Sequence, residues 1–147
     1  MSVVAAVALG SNLGDRAAIL ARARAAIARL AGTRVEAASA VEETAPLGPV
    51  PQGPYLNQML RLETGLGPWT LLALLLEVEA GEGRVRRERW GPRTLDCDLV
   101  LYGRQRVELP DLKVPHPEIT NRPFWQRELA ELGLSLEAAV GSPKTSE

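Results

Sequence analysis

The chain predicts an α+β domain of the ferredoxin-like, split βαβ kind: an antiparallel sheet in the order β-α-β-β-α-β, helices on one face, and a C-terminal extension. Three observations carry this. Short apolar or alternating runs near residues 2–9, 55–64 and 95–102 have the length and period of strands. Two stretches, near residues 16–30 and 69–80, repeat apolar residues at helical spacing. Gly, Pro and Asn clusters separate them. The 147 residues suit a single domain spanning 1–147.

Ser2 to Leu9, rich in valine and alanine, reads as a buried strand. Gly10-Ser11-Asn12-Leu13-Gly14-Asp15 is a turn into a helix that either Asn12 or Asp15 can cap. Ile19, Ala23, Ile27 and Leu30 form the helix's apolar stripe. Arg16, Arg22, Arg24 and Arg29 fall on its other sides, toward water, and Gly32 suits the stop. Thr33 to Thr44 is expected to be one strand. The following Pro46, Gly48, Pro49, Pro51, Gly53 and Pro54 exclude helix and central strand, leaving a loop long enough to have a function. Tyr55 to Thr64 is a third strand, with Leu60 and Leu62 on one face and Arg61 and Glu63 on the other.

The second helix runs from Trp69 to about Ala80, with Leu71, Leu72, Leu75 and Val78 on its core face. Gly81 to Pro92 is an arginine-rich loop, and Leu95 to Tyr102 is a fourth strand. A turn or small hairpin is expected at Gly103 to Val107, irregular chain at Val114 to Pro117, and a last helix from Phe124 to Leu132. Residues 141–147 form a tail expected to fray.

Composition narrows the function. Apolar residues are 46% and charged residues 24%, as in ordinary globular proteins. The longest apolar run, Leu71 to Leu76, is far below the roughly 18 residues of a membrane span, so no membrane role is expected. The first residues lack a charged n-region, so a cytoplasmic protein is expected. A single cysteine and a single histidine exclude a disulfide framework, a cysteine-based zinc site and a multi-histidine metal site. A bound metal would be held mainly by carboxylates, which suits magnesium, calcium or manganese. The net charge of −1 gives no global attraction for nucleic acid.

The charges are nonetheless unevenly placed. Arg84, Arg86, Arg87, Arg89 and Arg93 crowd one segment that leads into Asp96 and Asp98. On a strand those two acids share a face, with Leu95, Cys97, Leu99 and Leu101 on the other. Side by side they repel unless a cation or an arginine lies between them. Two exposed acids on a half-solvated strand are the simpler reading. Carboxylates beside clustered arginines and a loop are also what phosphate chemistry uses. His116, between two prolines, fits either a hydrogen-bonding role in packing or a ligand contact. Tyr55, Trp90, Phe124 and Trp125 stand out in a chain only 4% aromatic; Tyr55 and Phe124 are each core candidates, and two aromatics on loops can also sandwich a flat heterocycle.

The segment Arg89-Trp90-Gly91-Pro92-Arg93-Thr94-Leu95-Asp96-Cys97-Asp98 resembles the signature of the 6-hydroxymethyl-7,8-dihydropterin pyrophosphokinase family. Gly10-Ser11-Asn12-Leu13-Gly14, Thr44-Ala45-Pro46-Leu47-Gly48, Tyr55-Leu56-Asn57, Pro115-His116-Pro117 and Asn121-Arg122-Pro123-Phe124 resemble its other motifs, in the family's order. The resemblance spans about residues 3–132. It implies transfer of a diphosphoryl group from ATP to the hydroxymethyl group of the dihydropterin, giving AMP and the pterin diphosphate, a step of folate biosynthesis.

It also implies roles for particular residues. Two magnesium ions would be held by Asp96 and Asp98. Arg84 and Arg93 match the arginines that stabilise the transferring group. Arg86, Arg89, His116 and Arg122 match triphosphate contacts, and Glu79 and Leu99 match positions near the nucleotide. Tyr55 and Phe124 would sandwich the pterin, with Thr44, Pro46, Leu47 and Asn57 lining its pocket and Trp90 on a closing loop. The small molecules would be the partners of a monomeric enzyme. Three departures stand out. The stretch from Arg86 to Arg89 is one residue shorter than in familiar members. Cys97 replaces the usual leucine between the acids and should pack on the apolar face. Trp125-Gln126-Arg127 replaces a more apolar run. Two rival readings are a ferredoxin-like RNA-binding module using the Arg84–Arg93 loop, and an inactive pterin- or nucleotide-binding relative.

Overall fold

The structure, a computed structural model, describes residues 2–46, 48–49, 51–82 and 94–136. The elements are β1 (Val3–Ser11), α1 (Arg16–Ala28), β2 (Thr33–Ala38), β3 (Glu42–Thr44), β4 (Tyr55–Thr64), α2 (Pro68–Gly81), β5 (Asp96–Tyr102), β6 (Val107–Leu109), β7 (Leu112–Val114) and α3 (Pro123–Glu131). A 3₁₀ turn over Pro117–Asn121 precedes α3. The tail 141–147, and the expected arginine-rich loop beyond Glu82, lie outside the described residues. Gly81, expected to open that loop, closes α2 instead.

The main sheet has the order β2-β4-β1-β5, with β3 also on β4. All pairings are antiparallel. β1 lies between β4 and β5, so its backbone is paired on both sides and its residues from Ala5 onward are buried. α1 and α2 cover one face. Ile19, Leu20, Ala23 and Ile27 of α1 and Leu71 and Leu75 of α2 pack on Val7, Leu9, Leu60, Leu62, Leu95, Cys97 and Leu99. Each buried leucine or isoleucine contributes about 1.5–3 kcal/mol relative to exposure. Asp15 caps α1, its carboxylate accepting the N–H of Ala18 at 3.2 Å. This decides between the two cap candidates.

The second face is not left open. α3 lies on it, with Trp125, Leu129 and Leu132 packed on Ala6, Ala8, Met59, Val100 and Leu101. Leu101 was expected beside Leu99, under the first two helices. A bulge moves it: Ala6 pairs with Leu101 while Val7 pairs with Leu99, leaving Val100 as the extra residue. One inserted residue reverses the alternation. Leu101 therefore joins the α3 side and Tyr102 the opposite side, where its hydroxyl donates to the Leu66 carbonyl.

The single strand expected over Thr33–Thr44 is two. β2 and β3 lie along the same edge of β4 and break at residues 39–41. The cause is Ser39. Its N–H donates to the Met59 carbonyl, its hydroxyl accepts the Met59 N–H at 2.9 Å, and its carbonyl accepts the Gln58 side chain. A side chain thus takes over a ladder bond and the chain kinks. Two further boundaries differ. α1 ends at Ala28, not Leu30, and Val114, expected in irregular chain, closes β7; the turn expected from Gly103 is present, the Gln105 N–H donating to the Tyr102 carbonyl, and the β6–β7 hairpin follows it. The Val114–Pro115 peptide is cis. Arg16 and Arg24 are half-buried and tied to neighbouring chain: Arg16 donates to Glu43 and the Pro54 carbonyl at the surface, and Arg24 to Gln58.

The α3 contact contains a buried acid. Glu128 is 2% exposed, and neither of its carboxyl oxygens meets a donor. It faces Glu42 of β3, which accepts from Arg127 at 2.8 Å. Burial first, and then Glu42, push the Glu128 carboxyl up to about 9; Glu131 adds to this and Arg127 opposes it. Protonated, Glu128 donates to Glu42, and that hydrogen bond holds Glu42 below its ordinary value. The folded state therefore keeps a proton that the unfolded chain releases near pH 4.5. The stabilisation is complete below that pH and is lost as pH rises toward 9, by at most about 1.4 kcal/mol per unit. Urea unfolding at pH 6 and 8.5 should show this decline in the parent chain. Glu128→Gln, neutral throughout, should flatten it; an unchanged slope would mean that Glu128 is already ionised in the native state.

Candidate active site

The site is built on the α3 face at one end of the sheet. Asn57 of β4 pairs with Gly10 of β1, and Gly10 with Asp96 of β5. One row further in, Met59 pairs with Ala8, and Ala8 with Asp98. Residues opposite one another in antiparallel strands share a face. Met59 and Ala8 belong to the cluster under α3, so Asn57, Asp96 and Asp98 face that side too. Cys97 points the other way and is 3% exposed, packed as expected.

Gly10 is needed in the middle of the row. A Cβ there would lie 3.3 Å from Asn57 Oδ1 and 3.4 Å from the Tyr55 ring. The missing side chain lets Tyr55 and Asn57 close over β1. Asn57 is 6% exposed and its amide nitrogen donates to Thr44 Oγ1, so β3 and β4 are joined by side chains as well as backbone. Pro46 follows on the same loop, half-buried. Phe124, the second residue of α3, packs half-buried at the edge of the cluster on this face. The structure thus gathers Thr44, Tyr55 and Asn57 on one side of the Asp96–Asp98 pair, with Phe124 on the same face of the sheet.

On the other side lies a cavity of about 290 Å³ at the free edge of β5. Leu72, Leu76 and Glu79 of α2 form one wall, and Cys97, Asp98 and Leu99 another. The β6–β7 turn, His116 and Pro117 close it. Of the residues expected near a nucleotide, Glu79, Leu99 and His116 line this space. The Glu79 carboxylate, 5% exposed, accepts the Cys97 N–H at 2.7 Å and so ties α2 to the strand that bears the aspartates.

His116 is fixed by three contacts. Its N–H donates to the Val100 carbonyl, its Nδ1 accepts the Glu118 N–H at 3.1 Å, and its ring meets Trp125 edge-on at 5.0 Å. With Nδ1 an acceptor, Nε2 carries the hydrogen; it lies 4.0 Å from Asp98 Oδ1. Burial, with Arg122 nearby, lowers the imidazole to about 4 against the opposing effect of Glu118. It is a neutral donor at physiological pH. Arg122 lies over the Trp125 ring, 4.5 Å from its centroid, and 3.9 Å from Glu118.

Comparison with known proteins identifies the family. The family profile described as 7,8-dihydro-6-hydroxymethylpterin-pyrophosphokinase matches residues 6–133. A relative from Bacillus subtilis, named 2-amino-4-hydroxy-6-hydroxymethyldihydropteridine pyrophosphokinase, is 39% identical over 100% of this chain and 88% of its own. Relatives of the same name from Pseudomonas aeruginosa and Haemophilus influenzae are 44% and 40% identical, over 92% and 91% of this chain and 83% and 84% of theirs. The chain belongs to the 7,8-dihydro-6-hydroxymethylpterin-pyrophosphokinase family.

Within that pyrophosphokinase family reading, Leu47, Arg84, Arg86, Arg89, Trp90 and Arg93 lie outside the described residues. Among the described ones, no helix is long and apolar enough to cross a membrane. Sequence reasoning missed how Asn12 acts. It does not cap α1; its amide donates to Gln52 Oε1 at 2.8 Å and to the Gly53 carbonyl at 3.0 Å. With Arg16 on the Pro54 carbonyl, it fastens the proline-rich loop to the end of β1. An Asn where a strand runs out, opposite a loop full of prolines, was the available signal. Asn12→Ala should lower the free energy of urea unfolding by about 1–2 kcal/mol for two lost hydrogen bonds. Asn12→Asp, setting a carboxylate against two acceptor oxygens, should cost more. Equal midpoints for all three proteins would show that the amide does not hold the loop.

Proposed function

We propose that this protein transfers the terminal diphosphoryl group of ATP to the hydroxymethyl oxygen of 6-hydroxymethyl-7,8-dihydropterin, releasing AMP. The observation that carries the reading is the position of Asp96 and Asp98. They stand between a half-open cavity edged by His116 and a wall of Tyr55 and Asn57, on the sheet face that also carries Phe124. Family membership supplies the reaction class. The cavity is suited to the nucleotide: apolar at Leu72, Leu76 and Leu99, and polar at the His116 end. The wall is suited to the pterin, which Tyr55 and Phe124 would stack and Asn57, Thr44, Pro46 and Leu47 would edge.

In the reaction the hydroxymethyl oxygen attacks the β-phosphorus. The bond from that phosphorus to the oxygen bridging it to the α-phosphate breaks, and AMP leaves. The hydroxyl proton goes to Asp96 or to solvent. Such a transfer depends on positioning and on neutralising charge more than on covalent chemistry. Two carboxylates two positions apart on one strand face fit magnesium, which prefers a few carboxylates together with phosphate oxygens over an all-protein cage. Among the described residues no group of three or more His, Cys, Asp or Glu could hold a metal alone, in keeping with that mode. Two magnesium ions, held by Asp96 and Asp98, would neutralise the triphosphate and the developing charge.

The protein's own groups do the rest. Neutral His116 offers the N–H of Nε2, and Arg122 its guanidinium, to the triphosphate. Glu79 holds the aspartate strand through the Cys97 N–H. Arg84 and Arg93 are assigned to the transferring group, Arg86 and Arg89 to the triphosphate, and Trp90 to closure over the substrates, which excludes water and limits idle hydrolysis. RNA binding through the arginine segment is disfavoured, because an RNA lying along it would meet Asp96 and Asp98.

The decisive assay is AMP formation from ATP and magnesium, with and without the hydroxymethyl-dihydropterin. AMP that depends on the pterin, without ADP, is the expected result; its absence from a folded protein that binds ATP would overturn the proposal. Asp96→Asn and Asp98→Asn should each lower kcat at least about 100-fold while the melting temperature holds. Gly10→Ala tests the pterin wall apart from the nucleotide cavity. Its methyl pushes on Asn57 and Tyr55, so KM for the pterin should rise about tenfold and KM for ATP by less than about twofold.

A further inference from the structure

Trp125 is 2% exposed and carries two polar groups on its ring. The His116 imidazole meets it edge-on at 5.0 Å, with an interplanar angle of 88°. The Arg122 guanidinium lies over it at 4.5 Å, and the buried Arg122 Nε makes no hydrogen bond. Glu118, at 3.9 Å, is the acid paired with Arg122, and it too leaves that nitrogen without an acceptor. A guanidinium sunk against an aromatic face, with a donor still unsatisfied, costs free energy unless the ring's electrons and an incoming acceptor offset it. The indole is the strongest cation–π partner among side chains. The same indole packs on the imidazole whose Nε2 lies 4.0 Å from Asp98 Oδ1.

We propose that Trp125 is a positioning residue for the nucleotide: one buried indole holds His116 and Arg122 in the arrangement that receives the triphosphate. This rests on the reading of His116 and Arg122 as triphosphate contacts. Trp125 touches neither substrate in this assignment. Phe124, its neighbour in sequence, serves the pterin. The prediction is therefore selective, because loss of the indole acts on ATP and not on the pterin.

The test is steady-state kinetics of Trp125→Leu and Trp125→Phe, each checked by thermal melting, together with Arg122→Ala and the double variant Trp125→Leu/Arg122→Ala. Trp125→Leu should raise KM for ATP about three- to tenfold, with kcat and KM for the pterin within about twofold of the parent. Trp125→Phe, which keeps a weaker aromatic face, should fall between. In the Arg122→Ala background the effect of Trp125→Leu should largely vanish, because the group it positions is gone. A general loosening of the fold would instead move both KM values and would not depend on Arg122. If Trp125→Leu fails to fold, Trp125→Phe decides alone: a rise confined to ATP supports the proposal and an unchanged KM overturns it. A folded Trp125→Leu with parental KM for ATP also overturns it. If Arg122→Ala itself leaves KM for ATP unchanged, the triphosphate reading fails; if Arg122→Ala raises it and the Trp125 variants do not, the positioning role alone fails.

Discussion

The antiparallel register that sets Asn57, Gly10 and Asp96 in one row is the constraint on which the rest of the structure depends. β1 is paired on both sides, so its position is fixed by ladders along its whole length. A slip of one residue in either ladder would send every side chain of that neighbour to the opposite face. The aspartates would then lie beneath α2, or Asn57 and Tyr55 beneath α1. The buried alternation of β1 resists this, because Val7 and Leu9 are committed to one core and Ala6 and Ala8 to the other. Hydrophobic pattern thus sets the register, and the register assembles the site. Gly10 completes the row because it adds no side chain between Tyr55 and the aspartate strand.

The size of the alanines follows from the same arrangement. Ala6 and Ala8 lie where α3 rests on the sheet, and small residues there leave room for Trp125, Ile119 and Leu129. Covering this half of the face with α3 leaves the other end, beyond Ala8, to the chemistry. The packing that excludes water beneath α3 also lowers the local dielectric around His116 and Glu128. Their protonation moves in the direction burial dictates: the imidazole toward neutral base, the carboxyl toward neutral acid. Both groups are neutral at physiological pH, so burial beneath α3 leaves neither with a charge.

Much of this was legible in the residues. The apolar run of β1, the helical stripes of α1 and α2, and the alternation of β4 come from local pattern, and they appear where that pattern puts them. Asp96 and Asp98 on one face, with Cys97 on the other, needed only the strand period. What was not legible came from contacts distant in sequence. The bulge that transfers Leu101 depends on β1, about 90 residues away by the register, and no local signal marks Val100. The break at Ser39 depends on Met59. The covered second face depends on where α3 docks, which its own short amphipathic pattern does not state. For the site, residue types and the family motifs singled out Tyr55, Asn57, the aspartates and His116 as candidates. The supporting roles of Asn12, Glu42 and Trp125 were not marked by any motif's chemistry, because those roles lie in what the residues hold.

The start of α3 shows how two substrates can be served from one short element. Consecutive residues on a helix project about 100° apart, so Phe124 and Trp125 cannot face the same partner. Phe124 stays half-buried at the pterin wall while Trp125 turns inward beneath His116 and Arg122. The proline at Pro123 begins the helix at this point, and Arg122 is left on extended chain just before it. A helix beginning one residue earlier would set Phe124 where Trp125 now lies, and one beginning a residue later would set Trp125 where Phe124 now lies. The position of a single helix start therefore fixes which aromatic ring meets the flat substrate and which one anchors the groups that meet the charged one. The two ends of the site are linked through Pro123 as well as through the sheet.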